Sequence, residues 1–128
     1  MTDNAQTPGG LPPVVITRKD GKEQFHAGGR LLGFDLRGFW QWSASDLVNN
    51  TTRGIIAEYL VARALGLDGG VREPWQAYDL QAADGVKVEV KSSAHIQSWH
   101  QDRLSKIVFK VAPTRKNRRN SDCPQIMA

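Results

Sequence analysis

The alternation of residue types in residues 86–91 restricts this segment to a β-strand with one apolar and one charged face. Three valines alternate there with two lysines and a glutamate, and successive side chains of a strand point to opposite faces of a sheet. Residues 77–82 alternate in a similar way, and the loop 83–85 between the two segments ends in a glycine. We therefore predict an antiparallel hairpin over residues 77–91.

The two faces also fix the register of this hairpin. Opposed residues of an antiparallel pair lie on the same face, and a slip of one residue would set valines against polar partners. A three-residue loop with Gly85 in the left-handed conformation satisfies this condition and pairs Leu80 with Val88. The same register sets Asp79 directly opposite Glu89.

Two carboxylates in this position repel each other. Opposed Cβ atoms stand about 5 Å apart, and at an effective dielectric near 20 the repulsion is roughly 3 kcal/mol. A divalent cation between Asp79 and Glu89 would remove it, since hard cations such as Mg²⁺ prefer oxygen ligands. Lys91 lies about 7 Å along the strand from Glu89 on the same face, within reach of a phosphate or an attacking water. The alternative is a solvated charged face, which would be preferred for Glu89, Val90 and Lys91 taken alone.

The clearest predicted element is a helix over residues 53–65, which is preceded by capping side chains and followed by Gly66. Glu58 lies in the middle of its apolar stripe, where an unpaired carboxylate would cost several kcal/mol. Glu58 therefore either pairs with an internal cation or faces a site that holds a metal or a lysine. The second alternative is favoured, because Arg53 and Arg63 project about 140° away.

The other elements are shorter. Residues 14–26 predict a small β-ribbon that turns at residues 19–21, and residues 104–111 alternate as a third strand. Three aromatic residues follow the ribbon: Phe39, Trp40 and Trp42. We expect them to cap a core, with a base-stacking platform as the alternative.

Length and composition indicate a single domain. The 128 residues are 40% hydrophobic, enough for a modest core of two layers. We assign residues 1–13 to a disordered segment, residues 14–112 to the domain and residues 113–128 to a basic tail. From Arg103 onward seven Lys or Arg residues stand against the single acid Asp122, so this end is expected to attract polyanions, unless it is merely a soluble basic tail.

The sequence excludes several classes of protein. Cys123 is the only cysteine, which rules out an intramolecular disulfide and a cysteine-rich metal site. The chain has no secretory leader pattern and no apolar run near the roughly 18 residues that span a bilayer. We expect a cytoplasmic protein without membrane association.

The candidate site residues occur in a recognisable order. They are Glu58 on the helix, Asp79 on the first strand, and Glu89, Val90 and Lys91 on its partner, followed by Ser92 and Ser93. This order resembles the core of the PD-(D/E)XK nuclease superfamily over about residues 52–112. The proline that usually precedes the aspartate is replaced by Tyr78.

The resemblance implies a restriction-endonuclease-like α/β fold, with a helix packed on a mixed β-sheet that contains the antiparallel hairpin. It implies that Asp79, Glu89 and the Val90 carbonyl bind Mg²⁺, for which Mn²⁺ can substitute. It also implies that Lys91 orients or activates water and that Glu58 supports the metal or its water.

Further residues are added to this site by the same resemblance and by charge. Some nuclease families have a glutamine beyond the lysine of the motif, which adds Gln97. The expected nucleic-acid contacts are Ser92, Ser93, Arg115, Lys116, Arg118 and Arg119. The C-terminal helix and strand of the family core have no counterpart in residues 113–128, so we expect a homodimer or another partner to cover the sheet edge.

The predicted function is metal-dependent hydrolysis of phosphodiester bonds in nucleic acid, with DNA as the expected substrate and an endonuclease favoured over an exonuclease. One alternative is a catalytically inactive nucleic-acid-binding module, or a fragment that needs a partner. Another is an interaction domain whose edge strand recruits a second protein.

Overall fold

The computed structural model describes residues 10–110 of the chain. Its elements in chain order are β1 (Gln24–Ala27), β2 (Arg30–Asp35), α1 (Leu36–Ala44), α2 (Asn50–Ala64), β3 (Leu80–Gln81) and β4 (Lys87–Val88). Over this range the fold is a small mixed α/β arrangement, with two helices and two separate antiparallel hairpins. The single mixed sheet of a restriction-endonuclease-like core is not formed by these strands.

The first hairpin lies further along the chain than predicted. β1 pairs with β2 through Ala27 and Arg30, and the turn between them consists of Gly28 and Gly29 with φ of +56° and +75°. Two consecutive residues with positive φ form the tight turns that join twisted strands, and glycine adopts them without strain. The predicted ribbon over residues 14–26 is therefore wrong. Gly28 and Gly29 were a better turn signal than residues 19–21.

The predicted turn at residues 19–21 forms a different local structure. The Glu23 carboxylate accepts hydrogen bonds from the backbone N–H groups of Asp20 and Gly21, at 3.2 and 3.0 Å. The Gly21 carbonyl then accepts the N–H of Arg37 in α1. This segment therefore supports the first turn of α1 instead of joining two strands.

α1 begins where Asp35 caps it, since the Asp35 carboxylate accepts the N–H of Gly38 at 2.9 Å. Trp40 lies against Gly21, so close that a Cβ there would stand 3.0 Å from the ring. Trp42, in contrast, is 86% exposed. Phe39 and Trp40 are also exposed, at 47% and 41%, so the expectation that the three aromatic residues cap a core is wrong.

α2 confirms the predicted helix, although it starts three residues earlier, at Asn50. The Asn49 side chain accepts the N–H of Thr52 at 2.9 Å and caps the first turn. At the other end Gly66 has φ of +70°, and the N–H of Leu67 reaches back to the Ala62 carbonyl at 2.7 Å. This bond pattern is the Schellman motif, for which a glycine just past the helix is preferred.

The expected core and third strand are not found in the described part of the chain. Ala62 is the buried hydrophobic side chain there, so the apolar content does not form a two-layer core over residues 10–110. Residues 104–110 contain no strand, and the prediction for residues 104–111 is wrong over that stretch. Ser105 instead bonds to His95 through its N–H and its carbonyl, both at 2.9 Å. None of the helices in this range is long and apolar enough to cross a bilayer.

Candidate metal centre

The hairpin that carries the candidate site has the predicted register. β3 and β4 pair Leu80 with Val88. In the loop Gly85 has φ of +87°, and its N–H donates to the Ala82 carbonyl at 2.9 Å. The three-residue loop and its left-handed glycine are therefore confirmed. The strands are two residues long instead of six, so the regular ladder ends before it reaches Asp79.

Asp79 is held beyond the end of this ladder by two hydrogen bonds. Its N–H donates to the Val88 carbonyl at 3.1 Å, and its Oδ2 accepts the N–H of Val90 at 2.6 Å. The carboxylate thus takes the place of a backbone carbonyl as the acceptor on this side of the hairpin. Because Val88 and Val90 flank Glu89, the two bonds fix Asp79 beside the residue that the deduced register sets opposite it.

The electrostatics of Asp79 are unfavourable for a negative charge. Partial burial is the main cause that raises the pKa of its carboxyl, and the charges of Glu89 and Glu58 raise it further. The hydrogen bond from Val90 and the charge of Lys91 act in the opposite direction. The charges of Glu89 and Glu58 therefore both disfavour the ionised form of Asp79.

Lys91 makes an ion pair with Glu89. The Lys91 Nζ donates to Glu89 Oε1, and this hydrogen bond raises the pKa of the lysine. The contact shows that the two side chains lie on the same side of the backbone, although both residues follow the end of β4 at Val88. They are 50% and 49% exposed, so the pair contributes at most about 1 kcal/mol to stability.

Glu58 pairs with a cation that the sequence analysis did not consider. Its side chain is only 12% exposed, and both carboxylate oxygens accept hydrogen bonds from Arg72, one of them at 2.8 Å from Nη2 to Oε1 and the other from Nε. The structure shows this carboxylate paired with a cation, although Arg72 is 40% exposed and is not the internal cation that was expected. The arginines of α2 itself, Arg53 and Arg63, are not the partners of Glu58, whereas Arg72 lies in the connection between α2 and β3.

The oxygen atoms at and near Asp79 are of the kind that a hard divalent cation binds. Within residues 10–110 the Asp79 Oδ1, the Glu89 Oε2 and the Val90 carbonyl accept no hydrogen bond. Carboxylate and carbonyl oxygens are the ligands that Mg²⁺ prefers. No group of three or more His, Cys, Asp or Glu side chains in the described range is arranged to hold a metal ion, so a cation here would have at most two carboxylate ligands.

The remaining predicted residues lie apart from these carboxylates or outside the described range. Gln97 contacts Arg53 at 3.2 Å and the Ala94 carbonyl at 2.8 Å, and has no hydrogen bond to the candidate site. Ser92 and Ser93 are partly buried directly after Lys91. The predicted phosphate contacts outside the described residues are Arg115, Lys116, Arg118 and Arg119.

Comparison with known proteins gives no match, whether with protein-family models, with curated proteins or with solved structures.

The raised pKa of Asp79 predicts that Asp79→Asn stabilises the protein in EDTA at pH 7. When a carboxyl has a higher pKa in the folded state, the protein loses stability as the pH rises above the ordinary carboxyl pKa of about 4. The amide removes this loss, and its oxygen can still accept the Val90 N–H. We expect a gain in the free energy of unfolding below about 1 kcal/mol, because solvent screens the charge. The gain should vanish near pH 3 in denaturant titrations.

The matched control is Asp84→Asn. Asp84 also accepts a backbone N–H, that of Val86 at 3.1 Å, but it is exposed. This variant should show no gain at pH 7. A loss of stability in Asp79→Asn at neutral pH would contradict the electrostatic account of Asp79.

Proposed function

We propose that the chain is a metal-dependent nuclease of the PD-(D/E)XK type that hydrolyses phosphodiester bonds in nucleic acid, with DNA as its substrate. One observation carries the proposal: Asp79 is fixed by the Val90 N–H beside Glu89 and Lys91. Asp79 is therefore bonded to the segment that carries Glu89 and Lys91, at one end of a hairpin whose register follows from the sequence.

Each of these groups has a function in phosphodiester hydrolysis. Asp79 and Glu89, with the Val90 carbonyl, would hold Mg²⁺ or Mn²⁺. The cation supplies Lewis-acid polarisation of the phosphodiester when it is bound. Lys91 is half exposed, so its Nζ can leave Glu89 to orient the attacking water or to neutralise charge that develops on the phosphate.

A catalytically inactive nucleic-acid-binding module is the second candidate. It is favoured by the ion pairs of the site, since Glu58 is bound to Arg72 and Lys91 to Glu89 in this structure. Both candidates retain a nucleic-acid partner. β3 and β4 form a sheet of two strands in the described residues, which supports the proposal that a homodimer or another partner covers the sheet edge.

Cleavage of plasmid DNA in the presence of Mg²⁺ tests the proposal, with Lys91→Ala as the variant. Removing a group that acts on the attacking water should slow cleavage by at least about a hundredfold. Folding should be nearly unchanged, because the Lys91 side chain is half exposed. Absence of cleavage by the wild type would favour the inactive binding module.

Lys87→Ala is the matched control for Lys91→Ala. Lys87 lies in β4, four residues before Lys91, and its Nζ stands over the Tyr78 ring at 5.0 Å from the centroid. Its loss should cost about 1 kcal/mol or less of stability and leave cleavage within roughly threefold of the wild type. Equal losses of activity in both variants would show a general effect of charge on this strand.

Metal binding tests the ligands separately from turnover. Calorimetry with Mn²⁺ should show binding to the wild type and no measurable binding to the double variant Asp79→Asn, Glu89→Gln, because two neutral amides bind a hard cation much more weakly than carboxylates. An unchanged affinity would show that the site is assigned to the wrong residues.

The basic tail provides the test of nucleic-acid binding. If Arg115, Lys116, Arg118 and Arg119 each neutralise one phosphate, replacing all four by Gln should make the slope of log affinity against log salt shallower by roughly 3 to 4. Single-base changes in the DNA should have little effect, since phosphate contacts carry no sequence information. An unaltered slope would show that the tail does not contact the DNA.

A further inference from the structure

Residues 95–106 form a loop whose two ends are joined by hydrogen bonds. The Ser105 N–H donates to the His95 carbonyl at 2.9 Å, and the Ser105 carbonyl lies 2.9 Å from His95 Nδ1. Inside the loop, Gln101 Nε2 donates to the His95 carbonyl at 3.2 Å and to Ser105 Oγ at 2.9 Å. Compact surface loops whose ends meet in this way are frequently functional. The bonds fix the shape of loop 95–106 without a regular helix or strand.

A second set of bonds ties this loop to α2. The Gln97 N–H donates to Gln101 Oε1 at 2.7 Å, and Gln97 Oε1 accepts a hydrogen bond from Arg53 Nη1 at 3.2 Å. The loop begins at His95, four residues after Lys91, and a connection of that length spans at most about 14 Å when it is fully extended. Loop 95–106 is therefore held in place at a short distance from the lysine of the candidate site.

The loop presents an aromatic ring and two positive charges to solvent. Trp99 is 56% exposed, and Arg103 and Lys106 are also exposed. Neither of these two cations makes a salt bridge within the described part of the chain. Residues 99–106 together line one open cup, so the ring and the charges belong to the same surface.

The chemistry of this cup matches an unpaired nucleotide. Any base has a π face that can stack on an aromatic side chain, and the phosphates beside it are attracted to arginine and lysine. The acid of the loop, Asp102, lies 3.3 Å from His100 Nε2. Because Arg103 and Lys106 outnumber this acid, the loop keeps a net positive charge, which complements a polyanion better than a neutral apolar partner.

We propose that loop 95–106 binds an unpaired nucleotide of the substrate, with its base stacked on Trp99 and its neighbouring phosphates at Arg103 and Lys106. This inference rests on the proposed function, because it requires that nucleic acid is the partner. It narrows the substrate class to DNA with a single-stranded segment, since a base within an intact duplex must first be unstacked from its neighbours.

The variant that tests this is Trp99→Ala, measured by fluorescence anisotropy in EDTA so that no cleavage occurs. The probe is a labelled oligothymidylate of about 12 nucleotides, within the range that single-strand-binding grooves cover. We expect its affinity to fall by about tenfold, the loss of one stacked base. Affinity for a blunt duplex of the same length should change by less than about twofold, since its bases are not free to stack.

Three further variants separate stacking from general loss of an exposed apolar group. Trp75→Ala removes a ring that is 95% exposed but lies outside the loop, and it should leave the affinity within about twofold of the wild type. Trp99→Phe keeps an aromatic face and should bind within about threefold. Trp99→Leu keeps apolar bulk without a ring, so it should lose nearly as much as Trp99→Ala. It also carries the test if Trp99→Ala does not fold.

The salt dependence of binding separates the ring from the charges. Arg103→Gln combined with Lys106→Gln should make the slope of log affinity against log salt shallower by about 1 to 1.5, as expected for two phosphate contacts to a single strand. Trp99→Ala should leave this slope unchanged, because no charge is removed. A changed slope in Trp99→Ala would show that the substitution disturbs the loop as a whole, and the stacking assignment would fail.

The outcomes distinguish this inference from the proposed function. If the wild type binds the oligothymidylate and Trp99→Leu binds it equally well, no base stacks on Trp99 and the inference alone fails. If Trp99→Ala weakens binding to single strand and duplex by the same factor, the contact is not with an unpaired base and the inference also fails. If the wild type binds neither single-stranded nor duplex DNA, the nucleic-acid partner is wrong and the proposed function fails.

Discussion

The hydrogen bond from the Val90 N–H to Asp79 Oδ2 is the interaction on which the arrangement of this end of the hairpin depends. Glu58 and Glu89 each have a cationic partner, whereas Asp79 has a neutral one, the backbone N–H of Val90. Asp79 is also partly buried, which raises its pKa together with the charges of the other two. Among these three carboxylates, Asp79 is therefore the one without an ion-pair partner in the described range. Because the pKa of this carboxyl is raised, its ionised form lowers the stability of the folded protein at neutral pH.

The hairpin can hold the charge of Asp79 because its regular backbone ladder ends before this residue. The backbone ladder is regular only as far as Leu80 and Val88. Beyond it, the Asp79 side chain satisfies the Val90 N–H that a backbone carbonyl would otherwise accept. A carboxylate bonded in this way cannot rotate freely. The Val90 N–H fixes Oδ2, and the position of Oδ1 follows from it. Preorganisation of this kind lowers the cost of ordering a ligand when a cation binds.

The parts of the structure that follow local rules could be predicted from the sequence. The hairpin register came from the two faces and the glycine of the loop, and the end of α2 from Gly66. Arg72 could not be found in this way, because its contact with Glu58 spans 14 residues and depends on the path of the connection after α2. The predicted third strand failed for a related reason: alternation indicates a strand only where a partner strand is available, and residues 104–110 have none in the described range.

The identity of the cation partner explains how a shielded Glu58 can be tolerated beside Asp79. A lysine would neutralise the carboxylate through one ammonium group and leave an oxygen able to turn toward a cation, whereas a guanidinium binds both oxygens at once. The pair is close to neutral as a unit, so shielding Glu58 together with Arg72 costs less than shielding the carboxylate alone.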